Sequence, residues 1–364
     1  MANKYILINA TCDCEKPSGI GIFNRELTKN LIKINPDIFR VYTTIDFIPH
    51  FNNKINLSEK LSSGSTLGNL KRWFWEQTDL NLLNCDLLFS PVLEGPILTK
   101  NKAIVVHDIL ALKYPQYYKK MKYYNARFTW PLILKTSKLL FFISKSTKEE
   151  TYNYFNLSNV PFKIIYSGYD VESFKVREKG FIKIKYGYDK YFLYVGEMRP
   201  YKNINNAILA YHKSNLTDYK FLIVGKKDNT FYPDVQKLVD ELKVNSKVIF
   251  LDYVSSDELP YFYNDATALV FPSEYEGFGL PLLEGMASGL PVITTQCTSI
   301  PEVCADAALY IDPKSIIDIS NAMINIANNE DLRINFKTKS LARAKLFSWE
   351  KCAKEYYEDL VALL

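Results

Sequence analysis

The chain has 364 residues and a formal net charge of +5, and 48% of its residues are hydrophobic and 23% charged. These values are typical of a globular protein, and they exclude a disordered chain, a collagen-like repeat and a polytopic membrane protein. The length corresponds to about two domains, each large enough to bury its own core.

In the first half of the chain, short β-branched and aromatic runs alternate with longer amphipathic segments. This alternation is typical of βα units around a parallel sheet. The predicted strands are 5–10, 39–43, 87–90, 103–107, 139–144 and 163–166. The main predicted helices are 19–34, 116–138 and 145–155.

The segment 167–190 is rich in charge and contains three glycines, which is typical of a linker. A second alternation follows, with predicted strands at 191–195, 220–224, 248–251, 268–271, 292–294 and 308–311. Its predicted helices lie near 204–213, 233–242, 256–264 and 281–288. We therefore predict an α/β fold of two Rossmann-like, doubly wound domains, 1–168 and 169–346. A last helix, 347–364, is expected to pack back toward the first domain.

The sequence offers no sign of a membrane span, a secretion signal or a metal cluster. No stretch reaches the ~18 uncharged apolar residues of a spanning helix, and the N-terminal residues lack a signal-peptide cleavage pattern. The six cysteines form no C-x-x-C pair and, with only three histidines, build no recognisable zinc cluster. We expect a cytoplasmic protein.

Charge is unevenly distributed between the two predicted domains. Residues 1–168 contain 22 Lys and Arg against 13 Asp and Glu, which gives +9, and the remainder carries −4. A basic surface can contact nucleic acid, an anionic membrane or a phosphorylated ligand, and composition does not choose among them.

The most informative motif begins where a predicted strand ends at Phe271 and continues through a glycine-containing loop into a helix. Pro281 suits the first turn of that helix. Free backbone N–H groups at such a turn form an anion site, and Gly277 and Gly279 allow a ligand to approach the backbone. The loop is therefore a candidate phosphate site.

Two glutamates in this motif suit a sugar better than a phosphate. Glu276 lies in the loop and Glu284 about one turn into the helix, and carboxylates accept hydrogen bonds from sugar hydroxyls, as they do from ribose in dinucleotide folds. The string S-x-x-E-G-F-G-L-P-x-L-E-x-M-A-x-G-x-P-V resembles the signature of the family 4 glycosyltransferases, which are retaining enzymes of GT-B fold.

That resemblance implies two Rossmann-like domains facing a cleft, the first binding the acceptor and the second binding a nucleotide-diphosphate sugar. In the second domain, it assigns donor binding to Glu276, Gly277, Phe278, Gly279, Leu280 and Glu284. Glu276 and the loop backbone would hold the sugar, and Glu284 would hold the ribose.

A second motif contains Gly196, Arg199 and Lys202, where the first strand of the second domain turns into its first helix. A lysine and an arginine beside a helix N-terminus can neutralise a diphosphate leaving group. The family has a lysine at the position of Lys202. It usually has an arginine or a small residue directly after the glycine, where this chain has Glu197.

In the first domain, Gly19 and Gly21 follow the first predicted strand, and His107 stands at the C-terminal end of another. Ligands bind at such strand ends in open α/β sheets. The resemblance places the two glycines opposite the donor diphosphate and His107 in the active site.

Two further segments concern the acceptor side. The segment RWFWEQ at 72–77 is interpreted as core or acceptor-side packing, with an aromatic membrane wedge as the alternative. Tyrosines and basic residues between Lys113 and Arg127 would form, on a helix, a basic aromatic surface suited to peripheral contact with an anionic membrane.

We therefore expect a retaining glycosyltransferase that moves a hexose from GDP-mannose or a UDP-hexose to a glycan or lipid-linked acceptor in polysaccharide biosynthesis. The expected catalytic residues are His107, Arg199, Lys202 and Glu276. The chain contains no Asp-x-Asp, so we expect no cofactor and no metal. The alternatives are a sugar-nucleotide epimerase, which would give product without an acceptor, and a nucleic-acid-binding protein, for which the basic half shows no known motif.

Overall fold

The structure is a computed structural model that describes residues 4–13, 18–58, 66–80 and 85–364. The chain divides into two compact units. The first unit comprises the described residues up to Gly168 together with Trp349–Leu364, and the second unit is Tyr169–Ser348.

The first unit is built on a parallel sheet. Its strands are β1 (Ile6–Ala10), β2 (Phe39–Thr43), β3 (Lys54–Asn56), β4 (Leu87–Ser90), β5 (Lys102–Val106), β6 (Leu139–Phe142) and β7 (Phe162–Ile164). In space they follow the order β3-β2-β1-β4-β5-β6-β7. Strands β1, β4, β5 and β6 are buried along their whole length, as expected for strands covered by helices on both faces.

The helices before the second unit are α1 (Gly19–Ile34), α2 (Thr66–Trp75), α3 (Leu110–Lys113), α4 (Lys120–Phe128), α5 (Trp130–Thr136) and α6 (Lys145–Phe155). A π-helical turn, Glu76–Leu80, continues α2. The prediction of a single helix at 116–138 is wrong, because the helix is interrupted at Thr129, between α4 and α5. The Thr129 hydroxyl donates to the Asn125 carbonyl at 2.7 Å, and Pro131 occupies the first turn of α5.

The second unit repeats the architecture. Its strands are β8 (Tyr191–Val195), β9 (Lys220–Val224), β10 (Val248–Asp252), β11 (Ala268–Phe271), β12 (Val292–Thr295) and β13 (Ala308–Ile311). They pair in parallel in the order β10-β9-β8-β11-β12-β13. The predicted fold class, two Rossmann-like α/β domains, is therefore confirmed.

The helices of the second unit, followed by the last helix of the chain, are α7 (Phe181–Tyr186), α8 (Ile204–Ser214), α9 (Tyr232–Glu241), α10 (Leu259–Asp265), α11 (Leu280–Ala287), α12 (Ile300–Cys304), α13 (Ile316–Asn328), α14 (Glu330–Ala344) and α15 (Trp349–Val361). Helix α7 lies inside the segment predicted as a linker. Its Ile182 backbone N–H donates to Asp265 at 2.8 Å, so a long-range contact orders this segment.

Helix α15 belongs to the first unit and packs on α1. The rings of Trp349 and Tyr356 contact the ring of Phe23, with centroids at 5.7 and 6.2 Å. Across the described residues, no helix has the length and apolar character needed to cross a membrane.

Candidate active site

The loop between β11 and α11, residues 272–279, carries residues that the sequence predicts to bind the donor, and we call it the donor loop. Its geometry depends on glycine. Gly279 has φ +104°, and a Cβ there would lie 2.9 Å from Leu282 Cδ1. Any other residue would be strained in this left-handed conformation. The loop therefore enters α11 by a turn that glycine alone adopts without strain.

Two hydroxyl residues that follow β12 hold the donor loop in place. The Ser299 hydroxyl lies 2.9 Å from the Glu276 carbonyl and 3.1 Å from the Phe278 carbonyl. The Thr298 hydroxyl accepts from the Glu276 backbone N–H at 2.9 Å. These contacts fix the backbone on which the Glu276 carboxylate is carried.

Lys202 and Glu276 come from different motifs and form one ion pair. Lys202 Nζ donates to Glu276 Oε1 at 2.5 Å and to Oε2 at 2.7 Å. The two side chains are 16% and 9% exposed, so the pair is largely shielded from water. Lys202 reaches this position from a 3₁₀ turn, Pro200–Lys202, that precedes α8.

The ends of β8 and β9 approach each other closely beside this turn. A Cβ on Gly225 would lie 2.0 Å from the Gly196 carbonyl oxygen, so a side chain at position 225 would displace the backbone. Gly196 itself has φ +154°. The sequence motif identified Gly196 but not Gly225, whose lack of a side chain allows the two backbones to lie this close.

Arg199 lies in the same turn region and pairs with a different carboxylate. Its Nε is 2.6 Å from Glu197 Oε2, and Glu197 is 53% exposed. Its guanidinium also lies 5.6 Å from the centre of the Phe231 ring. Lys202 is thus joined to the donor loop, and the positive charge of Arg199 is offset by Glu197.

Glu284 lies on α11 and is buried. The Tyr263 hydroxyl donates to Glu284 Oε2 at 2.9 Å. Burial raises the pKa of Glu284 to about 7, with a smaller raising effect from Asp170, and the Tyr263 hydrogen bond acts in the opposite direction. A carboxyl group in this setting changes charge near neutral pH.

The remaining predicted residues lie in the first unit. His107 directly follows β5, and its Nε2 is 2.8 Å from the Pro91 carbonyl oxygen. Because a carbonyl only accepts, Nε2 carries the proton, and Nδ1 is the acceptor of the neutral ring. Burial lowers the pKa of His107. Gly19 and Gly21 form the first turn of α1, the former exposed and the latter buried.

Besides Gly225, the sequence analysis missed three residues whose side chains shape this site: Tyr263, Thr298 and Ser299. None lies in a motif, and each acts through one or two hydrogen bonds to motif residues. Within the described residues, no cluster of three or more His, Cys, Asp or Glu side chains is arranged to hold a metal ion.

Comparisons with known proteins identify glycosyltransferases as relatives. The family of Glycosyl transferases group 1 matches residues 176–343. The O-antigen chain mannosyltransferase B of Escherichia coli is 29% identical over 368 residues, which cover 93% of this chain and 94% of that protein. The O-antigen chain mannosyltransferase RfbU of Salmonella typhimurium is 34% identical over 64% of this chain and 63% of its own length.

Among solved structures, WaaG, a glycosyltransferase involved in lipopolysaccharide biosynthesis, covers 98% of this chain with a TM-score of 0.77 at 18% identity. At that identity the likeness concerns the fold, which is GT-B. The protein is therefore a glycosyltransferase enzyme of GT-B fold. Within it, residues 176–343 match the family of group 1 glycosyltransferases.

Proposed function

We propose that the protein is a retaining mannosyltransferase of family 4, which moves mannose from GDP-mannose to a hydroxyl group of a glycan or lipid-linked acceptor. The contact between Lys202 and Glu276 is the observation that carries this proposal, since it joins the lysine expected to bind the diphosphate to the carboxylate expected to bind the sugar. The mannosyltransferases among the relatives support mannose over another hexose. Their names also suggest polysaccharide biosynthesis as the setting.

The Lys202 ammonium group has three N–H donors. Two are directed at the two Glu276 oxygens, and the third can bind a diphosphate oxygen. Positive charge fixed where a leaving group gains negative charge lowers the barrier in a shielded site. In this proposal, Lys202 stabilises the departing GDP from its position beside the donor loop. Arg199 has a smaller effect because its pair with Glu197 is more exposed to water than the pair of Lys202 with Glu276.

The donor loop and α11 would bind the rest of the nucleotide sugar. Glu276 and the backbone of Gly277 to Leu280, including Phe278 and Gly279, contact the mannose, and Glu284 accepts from the ribose hydroxyls. Gly196 lets the diphosphate approach the end of β8. Side chains and backbone N–H groups would supply the positive charge, so we propose that the reaction needs no metal.

Retention without a protein nucleophile requires front-face attack, in which the departing phosphate helps to deprotonate the acceptor hydroxyl. His107 would assist as a neutral ring whose Nδ1 accepts a hydrogen bond from a substrate hydroxyl. Gly19 and Gly21, at the start of α1, would face the donor diphosphate.

The first unit also carries an exposed apolar stripe: Met121, Tyr124, Phe128 and Leu132, each at least 48% exposed. The surrounding segment 109–148 contains nine Lys and Arg and no Asp or Glu. Such a surface suits peripheral contact with an anionic membrane, and each basic residue near the surface adds about 1 kcal/mol. Within the aromatic surface expected from the sequence, Tyr118 and Tyr123 instead pack against the core.

The transfer proposal is tested by incubating the protein with GDP-mannose, UDP-glucose or UDP-galactose, each with and without membrane lipid extract as the acceptor source. Radiolabelled mannose that enters the lipid or glycan fraction from GDP-mannose alone is the expected result. Incorporation from a UDP-hexose instead would reject mannose. A new sugar nucleotide formed without acceptor would indicate the epimerase.

The membrane proposal is tested by sedimentation with vesicles of phosphatidylglycerol or phosphatidylcholine at low and high salt. Phe128→Asp should reduce binding to the anionic vesicles, and Ile184→Asp, at a position 88% exposed in the second unit, should leave it unchanged. Equal binding to both vesicle types would contradict the proposal.

A further inference from the structure

The first unit contains a buried charged cluster that the donor chemistry does not use. Its members are Arg72 on α2, Glu76 in the π-helical turn and Glu94 in the loop after β4. Arg72 and Glu76 are 4% and 2% exposed. Arg72 and Glu76 belong to the RWFWEQ segment, so this segment supplies two of the three members of the cluster.

The cluster lies at the C-terminal edge of the first sheet. Asn9 Nδ2, near the end of β1, donates to Glu76 Oε1 at 2.9 Å. Arg72 Nη2 donates to Glu94 Oε1 at 2.9 Å and lies 2.8 Å from Oε2. Strands β1 and β4 are parallel neighbours, and ligands of open α/β sheets bind at this edge.

The loop that carries Glu94 is fastened to the π-helical turn. Gln77 Nε2 donates to the Gly95 carbonyl at 3.1 Å, and Gln77 Oε1 accepts from the Ile97 backbone N–H at 2.9 Å. The Gly95 backbone also bonds to Glu76. A π-helical turn is rare and occurs frequently at functional sites. These contacts hold Arg72 and Glu94 in a fixed relative position.

Two polar atoms of the cluster still have hydrogen-bonding capacity. Arg72 Nη1 is buried and has no hydrogen-bond partner in the part of the chain that the structure describes. Glu94 Oε2 is also buried; it lies in the ion pair with Arg72 Nη2 at 2.8 Å, and a carboxylate oxygen can accept a second hydrogen bond. Buried polar groups in native proteins are nearly always paired, so each exception needs an explanation. The Glu94 side chain is 34% exposed, which gives the cluster an opening to solvent.

The charge of the cluster indicates what it binds. Burial, followed by the nearby Glu94 charge, raises the pKa of Glu76 to about 8, so Glu76 keeps its proton at pH 7. The charges of Arg72 and Glu94 then cancel. Of the neighbouring groups, burial raises the pKa of the Cys12 thiol, which stays neutral, and Asp13 pairs with Arg25 at 2.5 Å. A neutral cluster favours uncharged ligands over anions.

We propose that Arg72 and Glu94 bind hydroxyl groups of an uncharged acceptor sugar, with Glu76 and Gln77 as positioning residues. A donor and an acceptor held side by side match a hydroxyl group, which both accepts and donates a hydrogen bond. The proposal rests on the glycosyl transfer proposed above and on the acceptor-binding role that the family resemblance implies for the first domain.

Binding is measured by saturation-transfer NMR on the full chain with GDP present. The probes are methyl α-mannoside, methyl α-galactoside and methyl β-N-acetylglucosaminide, with mannose 6-phosphate as the anionic comparison. We expect at least one neutral glycoside to bind, more tightly than the phosphate. Glu94→Gln and Arg72→Lys should each weaken this binding about tenfold, and Asp46→Asn, at an exposed ion pair with Lys54, should not.

The variant Glu76→Gln distinguishes a positioning role of Glu76 from a purely structural one. The neutral glutamine resembles protonated Glu76, so binding at pH 7 should match the wild type. Between pH 7 and pH 9 the wild type should lose affinity severalfold as Glu76 ionises, and the variant should not.

Four results would overturn the proposal: no neutral glycoside bound by the wild type, tighter binding of mannose 6-phosphate, unchanged affinity in folded Glu94→Gln and Arg72→Lys, or the same pH profile in Glu76→Gln. GDP affinity, measured in parallel, should stay unchanged in every variant, and its loss would also count against a separate acceptor site. If the protein did not transfer mannose, these binding results would still stand, so each proposal can be refuted independently of the other.

Discussion

Replacing Glu284 by glutamine tests whether this carboxylate binds the nucleotide. The structure also predicts that the affinity for the nucleotide sugar depends on pH. Because burial raises the pKa of Glu284 to about 7, the group is about 10% ionised at pH 6 and about 90% at pH 8. If the ionised form accepts from the ribose hydroxyls, the Kd for GDP-mannose falls about tenfold over this range, or about 1.4 kcal/mol.

The assay is calorimetric titration of GDP-mannose at pH 6, 7 and 8 and constant ionic strength. The nucleotide sugar is preferable to GDP because its diphosphate is esterified at both ends and has no proton to titrate in this range. Glu284→Gln should remove the pH dependence and weaken binding at pH 8 by roughly 1 to 3 kcal/mol. A wild-type Kd that is constant with pH, or wild-type affinity in the variant, would refute the reasoning.

Tyr263→Phe provides a matched comparison. The Tyr263 hydroxyl donates to Glu284 at 2.9 Å and favours its ionised form. Removing the hydroxyl should raise the pKa of Glu284 further and shift the binding profile to higher pH. The carboxylate itself stays in place, so affinity at high pH should recover.

The remaining predictions concern Lys202, Gly279, metal and stability. Lys202→Ala should lower kcat by roughly a hundredfold, against less than tenfold for Arg199→Ala, in a GDP-release assay. Gly279→Ala should lower the melting temperature, because Cβ meets Leu282 and φ is positive, while Gly180→Ala, with open space around it, should lower it less. Activity should persist in EDTA, and a strict Mg²⁺ requirement would contradict the proposed mechanism. Because the folded pKa of Glu284 lies above its ordinary 4.5, the stability that Glu284 contributes is fully present below pH 4.5 and is lost by about pH 7, a change of ~3 kcal/mol. Glu284→Gln should therefore be more stable than the wild type at pH 8, in urea denaturation followed by circular dichroism.

The sequence predicted most strands of the two sheets because the buried parallel strands are short apolar runs. It missed β3 (Lys54–Asn56), a three-residue strand that is not buried. It also predicted which residues lie in the donor loop, since Glu276 and the glycines belong to one continuous string. The prediction was wrong where side chains decide the backbone locally, as at the Thr129 break between α4 and α5.

Contacts between distant segments were beyond the sequence pattern. Tyr263 is 21 residues from Glu284, and nothing in the periodicity of α10 indicates that its hydroxyl meets a carboxylate. Glu94 and Arg72 are 22 residues apart, on a helix and a loop that the topology brings together. Such pairs depend on tertiary packing, which periodicity does not encode.

The most direct test of the central claim is the anomeric configuration of the product. GDP-mannose carries an α-linked mannose, so the product of a retaining enzyme is an α-mannoside. NMR of the isolated product, by its anomeric one-bond carbon–proton coupling, distinguishes the two anomers. We predict an α-mannoside, and a β-mannoside, or the absence of any mannosylated product from GDP-mannose, would contradict the account.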